Sequence, residues 1–313
     1  MKNRQSKKRL VAEWLNARFG FFYTVDKSLY SGRTRYQDIE IVKAGEFGRT
    51  LRLDNITQVV EKNEYHYHEP MTHAAMCGHR RPRDVLVIGA GDGGILREVL
   101  KYPTVRTVTL AELDAGVIAV SARYLSRVNR DVFRDPRVRV EIADGRRYVE
   151  ANPGRFDVVI MDVTDPFGNS KMLYTREFFR AVRRSFRDRG GVFSMHGESP
   201  VTRPEAYNCI QKTLRTVFHS ISTMYVYIQM YATLWSIDVC SDTTDLCAMR
   251  ARTIDRKLST YGIRGLKMFS GRTLEAMLVE FPYLTDIRRQ GRGRIITDDK
   301  PDFPDKFRQV RIS

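Results

Sequence analysis

The sequence lacks most of the features that mark secreted and membrane proteins. Its 313 residues include only four cysteines, none of them in a CxxC pair or in the regular spacing of a disulfide-rich domain. No apolar run approaches the roughly 20 residues of a membrane-spanning helix. The basic N-terminus leads into Val11-Ala12-Glu13-Trp14 instead of the apolar core of a signal peptide. We therefore expect a cytoplasmic protein with reduced thiols and no membrane partner.

Motifs for metal binding are missing as well. Three of the six histidines lie close together, at His66, His68 and His73. No spacing of histidine and cysteine in the chain matches a zinc site. The sequence thus predicts no metal site.

Positive charge is the feature in excess. There are 53 lysines and arginines against 37 acidic residues, for a net charge of +16, which suggests a polyanionic partner such as nucleic acid. The excess lies at the two ends, because residues 1–35 hold nine basic and two acidic side chains and residues 251–313 hold fourteen and eight. No nucleic-acid recognition module accompanies these ends. We expect them to be surface or tail features, and a nucleic-acid-binding protein on a vestigial catalytic fold stays the less favoured alternative.

The N-terminal part has the pattern of a small β domain. Apolar and aromatic residues fill residues 19–25, and alternation in the strand period follows over residues 36–42 and 50–53, with turn residues between them. We place this domain, with its basic tail, at residues 1–68. The remainder, residues 69–313, forms a second domain.

The pattern changes near residue 83 to alternating strands and helices. Val85 to Ile88 is a continuous apolar run that ends at a glycine, which is typical of a strand buried on both faces. Strands and helices then alternate, which predicts an α/β fold with a Rossmann-like, doubly wound sheet. The predicted strands are residues 85–88, 107–112, 138–142, 156–162 and 192–195, with a final antiparallel pair at 224–231 and 235–240, and the predicted helices include 94–102 and 173–186.

A glycine-rich loop follows the first strand of this domain. Gly89-Ala90-Gly91-Asp92-Gly93-Gly94 lets a ligand approach the backbone closely, and the helix after it favours an electronegative group. Glu112 ends the second strand, where an acidic residue binds a ribose diol. Asp144-Gly145 ends the third strand, where a carboxylate can accept a hydrogen bond from an adenine amino group. Together these features predict a ligand that contains adenosine.

Asp92 restricts the rest of that ligand. A carboxylate in the loop would repel the pyrophosphate of a dinucleotide and also the carboxylate of S-adenosylmethionine. A tail that ends in an amine alone would be favoured. The loop thus indicates an adenosyl sulfonium with a cationic arm, and the alternative is that Asp92 caps the helix that follows.

A second pair of carboxylates ends the fourth strand. Asp162 and Asp165 lie three residues apart at the carboxyl edge of the predicted sheet, where ligands bind in such folds. Pro166 and Gly168 make this segment a loop. Paired carboxylates suit bound cations and proton abstraction. A plain turn capped by Asp165 is the alternative.

Taken together, these motifs resemble the polyamine aminopropyltransferases, the spermidine synthase family. The resemblance covers roughly residues 30–240 in order, and weakly includes 296–299. It rests on the glycine-rich loop, the acidic residue after the second strand and the DxxDP segment, together with residues 36–38, Gln58 and residues 64–69. The resemblance implies a class I methyltransferase-like form of the fold. It also implies decarboxylated S-adenosylmethionine as donor and co-substrate, with no permanently bound cofactor.

The resemblance further implies a role for individual residues. One group would bind the donor, a second would position and deprotonate the attacking amine, and a third would hold the acceptor. The donor residues would be Glu112 for the ribose, Asp144 and Gly145 for the adenine, Gln37 and Gln58 for the sulfonium and aminopropyl region, and Asp92 for the aminopropyl ammonium; the catalytic residues would be Asp162 and Tyr67; and the substrate-binding residues would be His68, Asp165, Tyr231 and His196.

The implied reaction moves an aminopropyl group to a small cationic amine and releases methylthioadenosine. Putrescine, agmatine and a longer polyamine are the acceptors that stay open. A methyltransferase that acts on a small amine is the alternative, and it would tolerate an intact methionine tail. Because members of the family are usually dimers or tetramers, the resemblance implies a homodimer or homotetramer.

Three departures from the family's pattern lie in the acceptor half. Ala232-Thr233-Leu234 follows Tyr231 where a Pro-Ser-Gly-like turn is usual. His196 stands in place of a glutamine, and Pro70 replaces a methionine. The donor half keeps the family's motifs, so the identity of the amine is the least determined part of the prediction. A packed core histidine is the alternative for His196.

Overall fold

The N-terminal region consists of two small antiparallel sheets, as the alternation predicts. The computed structural model describes residues 9–304, so residues 1–8 of the predicted basic tail lie outside the described part of the chain. The first sheet is a two-stranded hairpin, and the second has four strands in sequence order. The hairpin comprises β1 (Arg9–Trp14) and β2 (Gly20–Val25), and the four-stranded sheet comprises β3 (Lys27–Arg33), β4 (Asp38–Ala44), β5 (Gly48–Leu53) and β6 (Ile56–Val60).

A seven-stranded sheet forms the centre of the second region. Its strands are β7 (Asp84–Gly89), β8 (Thr107–Glu112), β9 (Val138–Ile142), β10 (Val158–Asp162), β11 (Val192–His196), β12 (Ser220–Ile228) and β13 (Thr233–Ser241). They lie in the order β12-β13-β11-β10-β7-β8-β9, with five parallel strands and the predicted antiparallel pair at one edge.

Helices cover both faces of this sheet. They are α1 (Tyr65–Gly78), α2 (Gly94–Val99), α3 (Ala115–Tyr124), α4 (Ser126–Asn129), α5 (Gly145–Glu150), α6 (Arg176–Ser185), α7 (Pro204–Arg215), α8 (Ala251–Thr260), α9 (Gly271–Met277) and α10 (Pro282–Gln290). Val85 and Val87 of β7 join one core cluster, whereas Leu86 and Ile88 join another. This alternation confirms the predicted doubly wound fold. Across residues 9–304, no helix combines the length and apolarity needed to cross a membrane.

Two predicted helices are shorter than expected. The helix predicted over 94–102 ends at Val99, and the one predicted over 173–186 starts at Arg176. The hydroxyl of Thr175 accepts a hydrogen bond from the N–H of Phe178 and caps that second helix. A short 3₁₀ turn over residues 168–173 precedes the helix and includes the first of its predicted residues. Apolar spacing continues through such turns, which is why it overestimates the length of a helix.

Helix α1 is buried at the centre of the molecule and carries two of the predicted site residues. Residues 67–78 are all buried, and the helix packs against β10, β11 and α2. The Glu69 carboxylate accepts hydrogen bonds from the backbone N–H groups of residues 267–269 at 2.7–3.0 Å. The C-terminal segment therefore helps to fix the helix that presents Tyr67 and His68. The predicted domain boundary after residue 68 falls within α1 and stays a prediction.

Candidate functional site

The glycine-rich loop places Asp92 beside His68. Asp92 is buried, and its Oδ1 lies 3.6 Å from Nε2 of His68. The same oxygen accepts a hydrogen bond from the backbone N–H of Gly94 at 2.7 Å, which is a local turn contact one residue before the N-cap of α2, Gly93. A Cβ at Gly94 would collide with the His68 ring, so only glycine permits this approach. Asp92 therefore stabilises the loop. It also places a carboxylate at the carboxyl ends of the sheet strands, the region called the crevice below.

Asp162, the last residue of β10, lies next to His68 and Asp92. Strands β7 and β10 are parallel neighbours, with Gly89 opposite Asp162. One side-chain atom each of His68, Asp92 and Asp162 lie within 4.8 Å of one another. The Tyr67 hydroxyl donates a hydrogen bond to Oδ1 of Asp162 at 2.9 Å. The two residues predicted as catalytic are thus in direct contact, beside Asp92.

The charged groups of this cluster influence one another. Burial raises the pKa of Asp162 to about 7, and the nearby Asp92 carboxylate adds to this increase. Burial would lower the pKa of His68, but the carboxylates of Asp92 and Glu64 outweigh it and raise this pKa to about 9. Burial and the Asp162 charge hold the pKa of Tyr67 well above its ordinary value, so the phenol stays a hydrogen-bond donor. An aspartate that exchanges a proton near neutral pH therefore lies beside an imidazolium and a neutral phenol.

A buried chain of ion pairs holds His68 from the other side. Its Nδ1 lies 2.7 Å from Oε2 of Glu64, one helical turn earlier. Nη2 of Arg97 donates to the same Glu64 oxygen at 2.8 Å, and its Nε donates to Glu98 at 2.8 Å. Burial would raise the pKa of Glu64, but its bonds to His68 and Arg97 outweigh it and lower this pKa to about 2. The ionised Glu64 therefore keeps the imidazolium of His68 in place.

Glu112 lies against the glycine-rich loop at the end of β8. It is buried, and its Oε1 accepts a hydrogen bond from the N–H of Asp114 at 2.9 Å. A Cβ at Gly91 would lie 3.1 Å from its other carboxylate oxygen. Burial raises the pKa of Glu112 to about 7. Gln37 donates through Nε2 to Asp114 at 3.0 Å, so Asp114 brings Gln37 to the same side of the crevice.

Asp144 and Gly145 start helix α5 at the edge of the crevice. Oδ1 of Asp144 accepts hydrogen bonds from the N–H groups of Arg146 and Arg147 at 2.8 and 3.2 Å. A Cβ at Gly145 would collide with Ile88, so glycine allows this turn to lie close to β7. These contacts explain the local fold, and the adenine role of both residues stays a prediction.

Aromatic rings line the side of the crevice beyond Tyr67. The rings of Tyr67 and Tyr231 meet edge-on with 6.1 Å between centroids. The Trp235 ring lies 5.1 Å from that of Tyr231 and 5.7 Å from that of His196. The Tyr231 hydroxyl donates to the backbone carbonyl of Gln58 at 3.0 Å, whereas the Gln58 amide donates to a neighbouring carbonyl at 3.4 Å. Aromatic faces of this kind attract ammonium groups, and the sulfonium role of Gln58 stays a prediction.

His196 is packed in the core and still keeps a hydrogen-bonding capacity. Its Nε2 donates to the Val163 carbonyl at 3.0 Å and lies 2.7 Å from the Tyr174 hydroxyl. Burial lowers the pKa of His196, so the ring is neutral and its Nδ1 is an acceptor. That nitrogen is buried and has no partner in the described part of the chain. A packed histidine can therefore still accept an N–H group of a bound amine.

Asp165 lies on the far side of the β10 loop, together with two residues that the sequence does not point to. Nη1 of Arg203 donates to Oδ2 of Asp165 at 2.7 Å and lies 3.3 Å from Oε2 of Glu198. Glu198 is completely buried, and its backbone is left-handed, with φ of 69°. Burial, with the nearby Asp165 carboxylate, raises the pKa of Glu198 to about 8. The Asp165 side chain thus belongs to a buried ion cluster.

Two groups in the site have the spacing of metal ligands. One comprises His68, Asp92 and Asp162, and the other comprises Asp165, His196 and Glu198. In the first, a pKa of about 9 keeps a proton on His68 where a metal ion would need a free nitrogen. In the second, the guanidinium of Arg203 already lies against both carboxylates. In each group, a cationic side chain therefore already lies where a metal ion would have to bind.

Sequence reasoning missed the residues that support the predicted ones. The spacing of Glu64 and His68, four residues apart, is a signal that a helical assignment of residues 65–78 would have revealed. Arg97, Asp114 and Arg203 carry no such signal. Arg97 and Asp114 lie close in sequence to Asp92 and Glu112, but they support the site through tertiary contacts with Glu64 and Gln37. Arg203 likewise contacts Asp165 and Leu15, which are 38 and 188 residues away in the chain.

Comparisons with family models agree with this geometry. Residues 64–249 match the model described as the spermine/spermidine synthase domain, and residues 12–61 match the one described as the spermidine synthase tetramerisation domain. Among curated proteins, the polyamine aminopropyltransferase of Nitrosomonas europaea is 39% identical over 274 residues, which covers 88% of this chain and 84% of that protein. The polyamine aminopropyltransferase of Pyrobaculum aerophilum is 36% identical over 285 residues, with 90% and 97% covered.

Solved structures show the same similarity. A spermidine synthase in complex with the transition state analogue AdoDATO superposes with a TM-score of 0.85 at 30% identity, covering 92% of this chain and 96% of that one. The spermidine synthase from Thermotoga maritima gives a TM-score of 0.83 at 30% identity, with 91% and 95% covered. The similarity thus extends over both the N-terminal sheets and the larger domain.

Proposed function

Because the chain belongs to the spermine/spermidine synthase family and is an aminopropyltransferase, we propose that it transfers the aminopropyl group of decarboxylated S-adenosylmethionine to a small cationic amine. Methylthioadenosine is the second product. The observation that carries this proposal is the contact of Tyr67 with Asp162 beside Asp92. A base for the attacking amine thus lies next to a carboxylate for the ammonium arm of the donor.

The donor half uses the carboxylates at the carboxyl edge of the sheet. Asp92 binds the aminopropyl ammonium, and a donor with an intact methionine carboxylate would bring a like charge into the same buried space. The remaining donor contacts are assigned as Glu112 with the ribose hydroxyls, Asp144 and Gly145 with the adenine, and Gln37 and Gln58 near the sulfonium. The resemblance supports these assignments, and the position of Glu112 against the loop agrees with its part.

The chemical step requires one proton transfer and one displacement. The amine nitrogen attacks the methylene carbon next to sulfur, so a C–N bond forms while the C–S bond breaks and its electron pair returns to sulfur. The acceptor arrives as an ammonium with a pKa of about 10, roughly three pH units above Asp162, which corresponds to about 4 kcal/mol. The sulfonium charge lowers the pKa of the amine and narrows this gap. A positioned base then contributes about 10²- to 10⁴-fold in rate.

The acceptor half extends from Asp162 along the aromatic wall to Asp165. We assign Tyr231 and His196 to the side of the bound amine and Asp165 to its far end. At the reacting end, the imidazolium of His68 lies between Asp92 and Glu64, so its positive charge offsets part of their negative charge. The family's tetramerisation model over residues 12–61 supports self-association as a homotetramer or homodimer.

The proposed function is tested by incubating the purified full chain with decarboxylated S-adenosylmethionine and a panel of amines. The panel contains putrescine, agmatine and spermidine, and mass spectrometry detects the products. We expect methylthioadenosine and one elongated polyamine in equal amounts. Folded protein that turns over none of these amines would refute the proposal. Formation of S-adenosylhomocysteine from intact S-adenosylmethionine would favour a methyltransferase instead.

Tyr67→Phe is expected to move the pH dependence of transfer to higher pH. Asp162 must be ionised to accept a proton, so the rate rises with pH through the pKa of Asp162. The Tyr67 hydroxyl donates to the ionised carboxylate and lowers this pKa. Its removal raises the pKa, by about one pH unit for a hydrogen bond of roughly 1.4 kcal/mol. The profile of kcat/KM for the donor measures this shift.

Tyr231→Phe is the matched control for this experiment. The Tyr231 hydroxyl donates to a backbone carbonyl and not to Asp162, so its removal should leave the rising limb of the profile in place. An unchanged limb in Tyr67→Phe, or an equal shift in both variants, would contradict the expected role of Tyr67.

A further inference from the structure

A buried arginine lies at the end of the acceptor site opposite to Asp162. Arg203 is 6% exposed and directly precedes α7. Its Nη1 lies 2.7 Å from Asp165 and 3.3–3.4 Å from both carboxylate oxygens of Glu198. Its Nε donates to the Leu15 carbonyl at 3.1 Å, and its guanidinium carbon lies 5.1 Å from the centre of the Phe167 ring. Contacts on several sides therefore hold the guanidinium in one position.

The charges at this end of the site nearly cancel. Asp165 and Glu198 together would offer two negative charges to an ammonium ion, and Arg203 offsets one of them. Burial raises the pKa of Glu198 towards neutral pH, and an entering cation would favour its ionised form again. With Glu198 ionised, the three side chains carry a single net negative charge. That charge matches one ammonium group.

The wall between the two ends of the site contributes hydrogen bonding but no charge. His196 is neutral, and its Nδ1 is a buried acceptor without a partner in the described residues. The indole N–H of Trp235 is buried and likewise has no partner there. The aromatic surface can therefore cover the methylene chain of a bound amine. The charges of Asp165, Glu198 and Arg203 then determine how many ammonium groups can bind beyond that chain.

We propose that Arg203 is a specificity-determining residue that restricts the acceptor to one ammonium group at the far end, and so selects a diamine over a triamine. This inference rests on the proposed function and names its acceptor class. The single net negative charge satisfies the second ammonium of a diamine. A further ammonium would approach the guanidinium without a carboxylate left to receive it, and like charges in a buried site are strongly disfavoured.

The test compares kcat/KM for 1,4-diaminobutane and spermidine at saturating donor, in the wild type and in Arg203→Gln. The amide can keep the hydrogen bond to Leu15 but removes the charge. We expect the ratio of the two values to move towards spermidine by about tenfold or more, mainly through KM for the amine, with KM for the donor unchanged. Arg203→Lys keeps the charge and should restore the preference for the diamine.

The surface variant Arg183→Gln is the matched control, since Arg183 pairs with Asp242 on the protein surface. If Arg203→Gln does not fold, Glu198→Gln tests the same charge balance, and it should weaken the triamine more than the diamine. Two results would overturn the inference and leave the proposed function standing. One is a wild type that prefers spermidine to the diamine. The other is a ratio of the two kcat/KM values that is the same in the wild type and in Arg203→Gln, or in Glu198→Gln where Arg203→Gln does not fold. Failure of the wild type to use any amine would refute the proposed function itself.

Discussion

Asp162→Asn is expected to lower kcat for aminopropyl transfer by about 10²- to 10⁴-fold while donor affinity changes only a few-fold. Asparagine has the shape of aspartate, and its carbonyl oxygen can still accept the hydrogen bond from Tyr67. It cannot accept the proton of the attacking amine. Asp92 remains in place to bind the ammonium of the donor, so binding and chemistry should separate.

Single-turnover rates and calorimetric titration of the donor measure the two effects independently. Asp165→Asn is the matched control, because it removes a carboxylate from the far end of the acceptor site and should act mainly on KM for the amine. If Asp162→Asn kept more than a tenth of the wild-type rate, another group would have to accept the proton.

The parallel strands could be predicted from sequence because burial on both faces leaves a continuous apolar run. Residues 85–88 and 107–112 agree with β7 and β8 within one residue at each end. Helix ends were less predictable, since apolar spacing continues through the turns beyond Val99 and before Arg176. Capping side chains and 3₁₀ turns decide those ends, and they depend on local hydrogen bonds that the apolar spacing does not encode.

The meeting of Asp92 and Asp162 could also be predicted in outline. Asp92 follows β7 and Asp162 ends β10, and the carboxyl ends of these neighbouring parallel strands share an edge of the sheet. The charged state of His68 could not be predicted, because it depends on Glu64 at the start of its own helix and on Asp92 from another element. The position of Arg203 could not be predicted for the same reason, since two of its three polar partners named above are distant in sequence: Asp165 lies 38 residues away and Leu15 lies 188 residues away.

The net charge of +16 has a different meaning once the site is known. The proposed substrates are cations, which the protein as a whole would repel weakly. Interactions between exposed charges beyond about 8 Å are largely screened at physiological salt, so the carboxylates within the crevice dominate the field that a bound cation experiences. The ion clusters around Asp92 and Asp165 thus make a locally acidic site in a basic protein. The charge of the chain ends therefore carries little information about the substrate.

The second large effect is expected for Asp92→Asn, which should reduce kcat/KM for the decarboxylated donor by at least about 30-fold. Truncation of one partner in a buried, hydrogen-bonded charge pair costs about 2–5 kcal/mol, and this donor presents its ammonium to a carboxylate that is 8% exposed. The amide oxygen of asparagine can still accept the hydrogen bond from Gly94, so the loop should keep its shape. Asp84→Asn is the matched control, because Asp84 begins β7, the strand that leads into the loop of Asp92, and pairs there with Arg187.

In Asp92→Asn, the ratio of affinities for the two donors should change more than the affinity for either donor alone. In the wild type, Asp92 attracts the ammonium arm of the decarboxylated donor and repels the carboxylate of S-adenosylmethionine, so both effects favour the same donor. The substitution removes the attraction and the repulsion together, and the imidazolium of His68 then lies next to an uncharged amide and can attract the carboxylate. Calorimetric titration of both donors into both proteins measures the ratio of dissociation constants, which we expect to fall by about 100-fold or more. An unchanged ratio, with donor binding weakened, would show that Asp92 only braces the loop and that another group rejects the carboxylate.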